Sequence, residues 1–223
     1  MHYALFLLFF FRSPPFPRTI FRVMTECILD ITSLAYRGCG VARREGKVVL
    51  VPGVIPGERV RVRIVRSHKK YDEAETVSVE LAAPARCEPV CPYAGQCPGC
   101  CFQHMAYATE LEWKDRQLSG FLRQLAVPPE GRRAPAAAPQ PLYYRNKLVL
   151  HASASGGWGY VGADNRTVLP VRQCALAVPE INEAMGRMCE QGPGAVRPGE
   201  RMVFRHAVDQ PVLWWKAGQP PDT

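Results

Sequence analysis

The chain has 223 residues, 47% of them hydrophobic and 22% charged, enough for one or two globular domains and too apolar for a wholly disordered polymer. Its net charge is +8, and Arg12, Arg18 and Arg22 in the first 23 residues leave +5 for the remainder. A balance of that size favours a polyanionic partner without identifying one, so the placement of the charge has to decide.

Residues 1–23 read MHYALFLLFFFRSPPFPRTIFRV. The apolar run from Tyr3 to Phe11 is too short to span a bilayer. Arg12 follows that run, whereas a signal peptide carries its positive charge in front. The expectation is a non-native or disordered extension, with Met24 as the true start; a short membrane-associating tail is the alternative.

Residues 24–84 carry short β-rich runs punctuated by Gly38, Gly40, Gly46, Gly53 and Gly57 at turn spacing. The runs are Cys27–Ile31, 47–51, 59–65 and 75–81, and together they predict a small OB-like β-barrel. The third run alternates strictly: Val60, Val62 and Ile64 turn to a core, Arg59, Arg61 and Arg63 to solvent. Arg66, His68, Lys69 and Lys70 continue the positive charge, and no acid interrupts residues 59–70. Such a ribbon suits phosphate contacts to RNA; a solvated face on a structural barrel is the plainer alternative.

Residues 85–130 hold RCEPVCPYAGQCPGCCFQH and then a helical pattern. Cys91, Cys97 and Cys100 are spaced C-x5-C-x2-C, with Gly95 and Gly99 just before the last two. Three thiolates facing one centre need a tight loop, for which glycine supplies the backbone angles. Four sulfur ligands suit zinc or an iron–sulfur cluster, and Cys174 in VRQCAL is the best candidate for the fourth. A disulfide knot would need an oxidising compartment, and no credible signal peptide supports one. Cys27, Cys39, Cys87, Cys101 and Cys189 read as bystanders. From Ala106 to Ala126 a stripe of Tyr107, Leu111, Leu118, Leu122 and Leu125 predicts an amphipathic helix that braces the cysteine loop against the next domain.

Residues 131–141 form a Pro- and Ala-rich linker. Residues 142–223 read as a partial, β-rich α+β domain, with strands at 143–152, 157–162, 167–171, 202–207 and 211–216. Turns are expected at Ser155-Gly156-Gly157 and Asp164-Asn165, and a helix at 179–190 beginning on a proline. Tyr144, Arg145 and Lys147 in YYRNK are further candidates for RNA contact, or for the surroundings of the cysteines.

With its flanks, CPYAGQCPGCCFQHMAYATELEWK resembles the cluster segment of bacterial RNA uracil-5-methyltransferases, of the 23S ribosomal and transfer RNA type, which use S-adenosylmethionine. Pro98 stands where that family has the first glycine of its Cys-Gly-Gly-Cys unit, and Cys101 is extra. GKVVLVPGVIPGERVRV resembles the TRAM domain, an RNA-binding barrel that opens these enzymes. VRQCALAVPEIN resembles the segment holding their fourth cluster ligand. The likeness covers about residues 24–217. It implies a [4Fe–4S] cluster on Cys91, Cys97, Cys100 and Cys174, RNA (ribosomal or transfer) as partner, a cytoplasmic monomer and no membrane association. The family's catalytic module is a doubly wound domain with a Gly-rich cofactor turn, a nucleophilic Cys and a Glu base. None of these is recognisable before Thr223, so the resemblance implies the N-terminal part of such an enzyme, inactive by itself, with S-adenosylmethionine belonging to the full-length enzyme. A free-standing RNA-binding module with structural zinc is the alternative. A radical methylthiolating enzyme, which can also carry a TRAM domain, would need C-x3-C-x2-C, and Ala94 breaks that signature.

Overall fold

A curled, mostly antiparallel sheet and a helix make the first of two units. The computed structural model describes residues 25–128, 130–154, 156–190, 197 and 199–218. The extension expected over 1–23 and Ser155 of the expected turn lie outside them. The units comprise 25–87 with 104–136, and 88–103 with 137–218. The helix expected to brace the cysteine loop therefore packs in the unit of the first sheet, and the loop in the other. Among the described residues no helix is long and apolar enough to cross a membrane.

The first sheet comprises β1 (Thr25–Asp30), β2 (Ser33–Leu34), β3 (Gly40–Arg44), β4 (Lys47–Val51), β5 (Arg59–Ser67) and β6 (Tyr71–Leu81), in the order β1-β5-β6-β4-β3-β2. All neighbours are antiparallel except β4 and β6. The alternation of β5 holds: Val60, Val62 and Ile64 are buried beside Val49, Val51 and Ala42, while the arginines between them stay at the surface. Burial of these side chains stabilises the sheet by about 1.5–3 kcal/mol each before chain entropy opposes it. The sheet curls, because Ile31 N–H donates to Glu58 O at 2.8 Å and Thr32 N–H to Val41 O at 2.9 Å, bringing the end of β1 to β3. Gly40 permits the crossing: a Cβ there would stand 2.2 Å from Val54 Cγ2. The short runs read from the sequence missed β2 and β3, which are brief and lack a full apolar alternation.

Helix α1 (Tyr107–Gln124) joins this unit through Gln117 Nε2, which donates to Ala35 O at 2.9 Å, and through Phe121, edge-on to Tyr36 at 6.0 Å. None of its residues is buried, and Leu118 and Leu125 of the expected stripe are exposed.

The second sheet comprises β7 (Lys147–Ala152), β8 (Trp158–Val161), β9 (Val168–Pro170), β10 (Arg201–Arg205) and β11 (Leu213–Lys216), in the order β11-β10-β7-β8-β9, all antiparallel. Helix α2 (Pro179–Glu190) lays Ile181, Ala184, Met185 and Met188 into one core with Leu148, Leu150 and Phe204. That is the i, i+3, i+4, i+7 stripe of a helix with one covered face. The strand expected from Tyr143 begins only at Lys147, because Tyr143 has a left-handed backbone (φ 54) that interrupts extension. Residues 143–146 instead run beside the segment of Cys174: Tyr143 N–H donates to Ala175 O and Arg145 N–H to Leu176 O, and Val178 N–H returns to Arg145 O.

Candidate metal centre and nucleic-acid interface

The cysteine loop is a series of tight turns. Ala94 N–H donates to Cys91 O at 3.1 Å, and both Gln96 and Cys97 N–H donate to Tyr93 O, at 3.1 and 2.8 Å. Gly95 supplies the left-handed residue between them, with φ 80. Gln103 closes the loop, its Oε1 accepting from Cys91 N–H at 3.0 Å. Tyr93 ties the loop to the strand region beyond β9, its hydroxyl accepting from Arg172 N–H at 3.0 Å, and its ring packs against the core that contains Cys174.

Cys174 is held by the helix that follows it. Asn182 in the first turn of α2 accepts from Cys174 N–H at 2.8 Å through Oδ1, and its Nδ2 donates back to Cys174 O at 3.1 Å. The sequence showed Asn182 only as the last residue of VRQCALAVPEIN; its role as the clamp on Cys174 depends on the turn between them. Cys91, Cys97, Cys100 and Cys174 belong to one unit and are all free thiols. Burial pushes the Cys97 and Cys100 thiols up, and the neighbouring thiols, Cys174 among them, push the same way. A hydrogen bond from the Gly99 backbone acts in the opposite sense on Cys97, and Gly99 lies so near that a Cβ there would meet Cys97 Sγ at 3.4 Å. Tyr160 is half-buried beside Cys174 with its hydroxyl covered, and that desolvation raises its phenol far above the ordinary range. Arg145 brings the opposing charge, favouring ionisation of both Cys97 and Tyr160.

The donor chemistry fits a thiophilic metal group: four cysteines, a backbone N–H aimed at one sulfur, and one guanidinium to offset thiolate charge. Among the described residues no three His, Cys, Asp or Glu side chains are grouped tightly enough to hold a metal ion as they stand. The loop and Cys174 thus share one unit, and their thiols as they stand form no closed cage. Cys87 lies in the other unit, where its N–H donates to His104 O at 3.1 Å.

The arginine ribbon has neighbours the sequence did not show. Arg59 pairs with Asp30 at 2.9 Å, Arg61 with Glu80 at 2.9 Å, and Arg63 with both Glu26 at 2.8 Å and Glu75 at 2.6 Å. Arg66 stands 3.6 Å from Glu73. The acids come from β1 and β6, which flank β5, and strand register places Glu26 and Glu75 on either side of Arg63. Lys69 and Lys70 lie exposed at the turn between β5 and β6. Tyr144 and Lys147 are exposed, whereas Arg145 is partly covered beside the cysteines.

Comparison with known proteins places these features. Residues 22–77 match the TRAM domain. A 23S rRNA (uracil(1939)-C(5))-methyltransferase of Acidithiobacillus ferrooxidans is 37% identical over 172 residues, covering 75% of this chain and 39% of that protein. The corresponding protein of Shewanella sp. (strain W3-18-1) is 28% identical over 183 residues, covering 78% and 39%. An uncharacterized RNA methyltransferase of Caldanaerobacter subterraneus is 32% identical over 160 residues, covering 70% and 35%. The chain thus spans about two fifths of the length of these relatives. Among solved structures, the tRNA (uracil-54, C5)-methyltransferase of Pyrococcus abyssi in complex with S-adenosyl-L-homocysteine shares the fold, with a TM-score of 0.56 and 21% identity, over 83% of this chain and 44% of that one.

Proposed function

We propose that this chain, which carries a TRAM domain and belongs to the RNA uracil-5-methyltransferase family, is the RNA-binding and cluster-holding portion of such an enzyme. In this reading Cys91, Cys97, Cys100 and Cys174 ligate one [4Fe–4S] cluster, Asn182 and Tyr93 hold the two ligand segments in place, and Arg145 offsets the charge. The observation that carries it is that the C-x5-C-x2-C loop and Cys174 fold into one unit, with Tyr93 of the loop packed on the core that contains Cys174. Bound there, the cluster ties two distant segments together, as structural metal sites do. The partner is ribosomal or transfer RNA, held through its phosphates.

Methyl transfer to the uracil ring is proposed for the relatives' full length and not for this chain alone. The reading is supported by the strand pairing of the described residues, where β4–β6 is the one parallel pair between named strands, whereas the family's cofactor module is a doubly wound parallel sheet. The test has two arms. Anaerobically purified chain should be brown and contain iron with acid-labile sulfide; one colourless zinc per chain would instead favour the reading as a zinc-stabilised RNA-binding module. The same preparation, given labelled S-adenosylmethionine and unmodified ribosomal or transfer RNA, should leave the RNA unlabelled. Methylation of uridine by this chain would overturn the assignment.

A further inference from the structure

RNA binding by the first unit does not have to fall on the arginine ribbon, and its electrostatics argue against that face. On the outer face of β1, β5 and β6, three arginines (59, 61 and 63) meet four acids (Glu26, Asp30, Glu75 and Glu80). The local sum is negative. Each phosphate approaching Arg63 would also meet two carboxylates, one on either side. Like charges at such distances oppose binding, and displacing a paired acid breaks one interaction for each one formed.

The end of the same sheet has the opposite character. Strand β4 runs parallel to β6 with Val48 opposite Tyr71, so the β3–β4 turn (residues 44–47) and the β5–β6 turn (67–71) lie at one end. Lys47 stitches the turns together, donating to Ser67 Oγ at 2.8 Å and to Asp72 Oδ1 at 2.5 Å. Residues 43–47 and 66–73 bring Arg43, Arg44, Lys47, Arg66, Lys69 and Lys70 against Glu45, Asp72 and Glu73, six cations to three acids. The scaffold beneath them is preformed. His68 N–H donates to Tyr71 O at 2.9 Å, the His68 and Tyr71 rings stack at 4.3 Å and 21°, and His68 Nε2 lies 2.9 Å from Glu73. Little ordering entropy remains to be lost when a phosphate backbone settles there.

We infer that the two-turn end of the first sheet, and not its arginine face, is where this chain grips the RNA phosphate backbone. The inference rests on the reading of the chain as an RNA-binding protein. Arg66, Lys69 and Lys70 keep the role expected of them from the sequence, Arg43 and Arg44 join them, and Arg59, Arg61 and Arg63 become an ion-pair ladder that clamps β1 and β6 to β5.

Two double variants that remove the same charge separate these faces: Lys69→Gln with Lys70→Gln, and Arg61→Gln with Arg63→Gln. Binding of the full chain to a fluorescein-labelled single-stranded RNA is followed by anisotropy between about 50 and 300 mM salt. Removing one phosphate contact flattens the log–log slope by about 0.7 for single strands. The lysine pair should weaken binding roughly tenfold at low salt and flatten the slope by about 1.4, whereas the arginine pair should keep the parent's slope within one contact, about 0.7. Circular dichroism on both variants separates a binding defect from a folding defect, and a lysine pair that unfolded would be replaced by Lys69→Gln alone, expected to remove one contact. If the parent itself fails to bind, the RNA-binding reading falls. If the parent binds and the arginine pair flattens the slope as much as the lysine pair, or more, this inference falls and that reading stands. Stronger binding to phosphatidylserine vesicles than to RNA, abolished in the lysine pair, would also overturn it by assigning the turns to a membrane surface.

Discussion

Glu58 is the most deeply buried acid described in the chain, only 1% exposed. Its carboxylate accepts from Ile55 N–H at 2.8 Å and from Arg86 Nε and Nη2 at 2.5 and 2.7 Å. Arg86 stands at the entry to the cysteine loop, and its Nη2 also reaches Gly53 O at 3.0 Å. Burial acts to raise the Glu58 carboxyl, but the hydrogen bonds from Arg86, Ile55 and Ala83 outweigh it and hold the pKa below its ordinary 4.5. Removing one partner of a buried pair leaves an uncompensated charge, so Glu58→Gln should cost about 3 kcal/mol, at the low end because Arg86 reaches solvent. The urea midpoint should fall with its slope unchanged. A carboxyl lowered on folding contributes its stability in full above the unfolded value and loses it as pH falls through the folded one. The difference in stability between parent and Glu58→Gln should therefore be largest near neutrality and shrink as the pH drops below about 4.5. At this scale the sequence showed half of each interaction: the alternation of β5 exposed Arg59, Arg61 and Arg63, but the acids facing them lie on β1 and β6 and meet them only through register.

Among the elements, the amphipathic patterns were legible where one face is fully covered. Helix α2 runs over the expected 179–190 because its buried stripe packs on a sheet. Helix α1 shows the same period, yet it leaves Leu118 and Leu125 in solvent. A stripe records that a helix is amphipathic, not that something in the described residues covers it. The late start of β7 was hidden for another reason: Tyr143 carries ordinary strand propensity, and its left-handed backbone is imposed by pairing with the Cys174 segment. Strands β8 and β9 approach closely at Gly159, where a Cβ would stand 1.9 Å from Leu169 O. The obstacle is backbone and cannot turn aside. Gly159→Ala should destabilise the second unit by about 1–3 kcal/mol and speed hydrogen exchange at β8 and β9. Since β9 leads directly to Arg172 and Cys174, the same variant should bind iron less well, and unchanged exchange and iron content together would show the contact to be tolerated.

For the whole molecule, three of the four proposed ligands were readable from C-x5-C-x2-C spacing. The fourth, Cys174, was named as the best candidate with no spacing behind it, and the resemblance of VRQCALAVPEIN is what favoured it over Cys189 or Cys39. What distinguishes it is tertiary: Asn182 clamps it, Tyr160 lies against it, and Tyr93 of the loop packs on the core that contains it. The central claim is that these two segments share one metal group. The direct measurement is iron and sulfide content of anaerobically purified Cys174→Ser, beside Cys87→Ser and Cys101→Ser. The parent, Cys87→Ser and Cys101→Ser should each carry about four irons, as a cubane on four thiolates requires, while Cys174→Ser should lose most of its iron and its brown absorbance. Full iron retained by Cys174→Ser, or lost instead from Cys87→Ser, would contradict it.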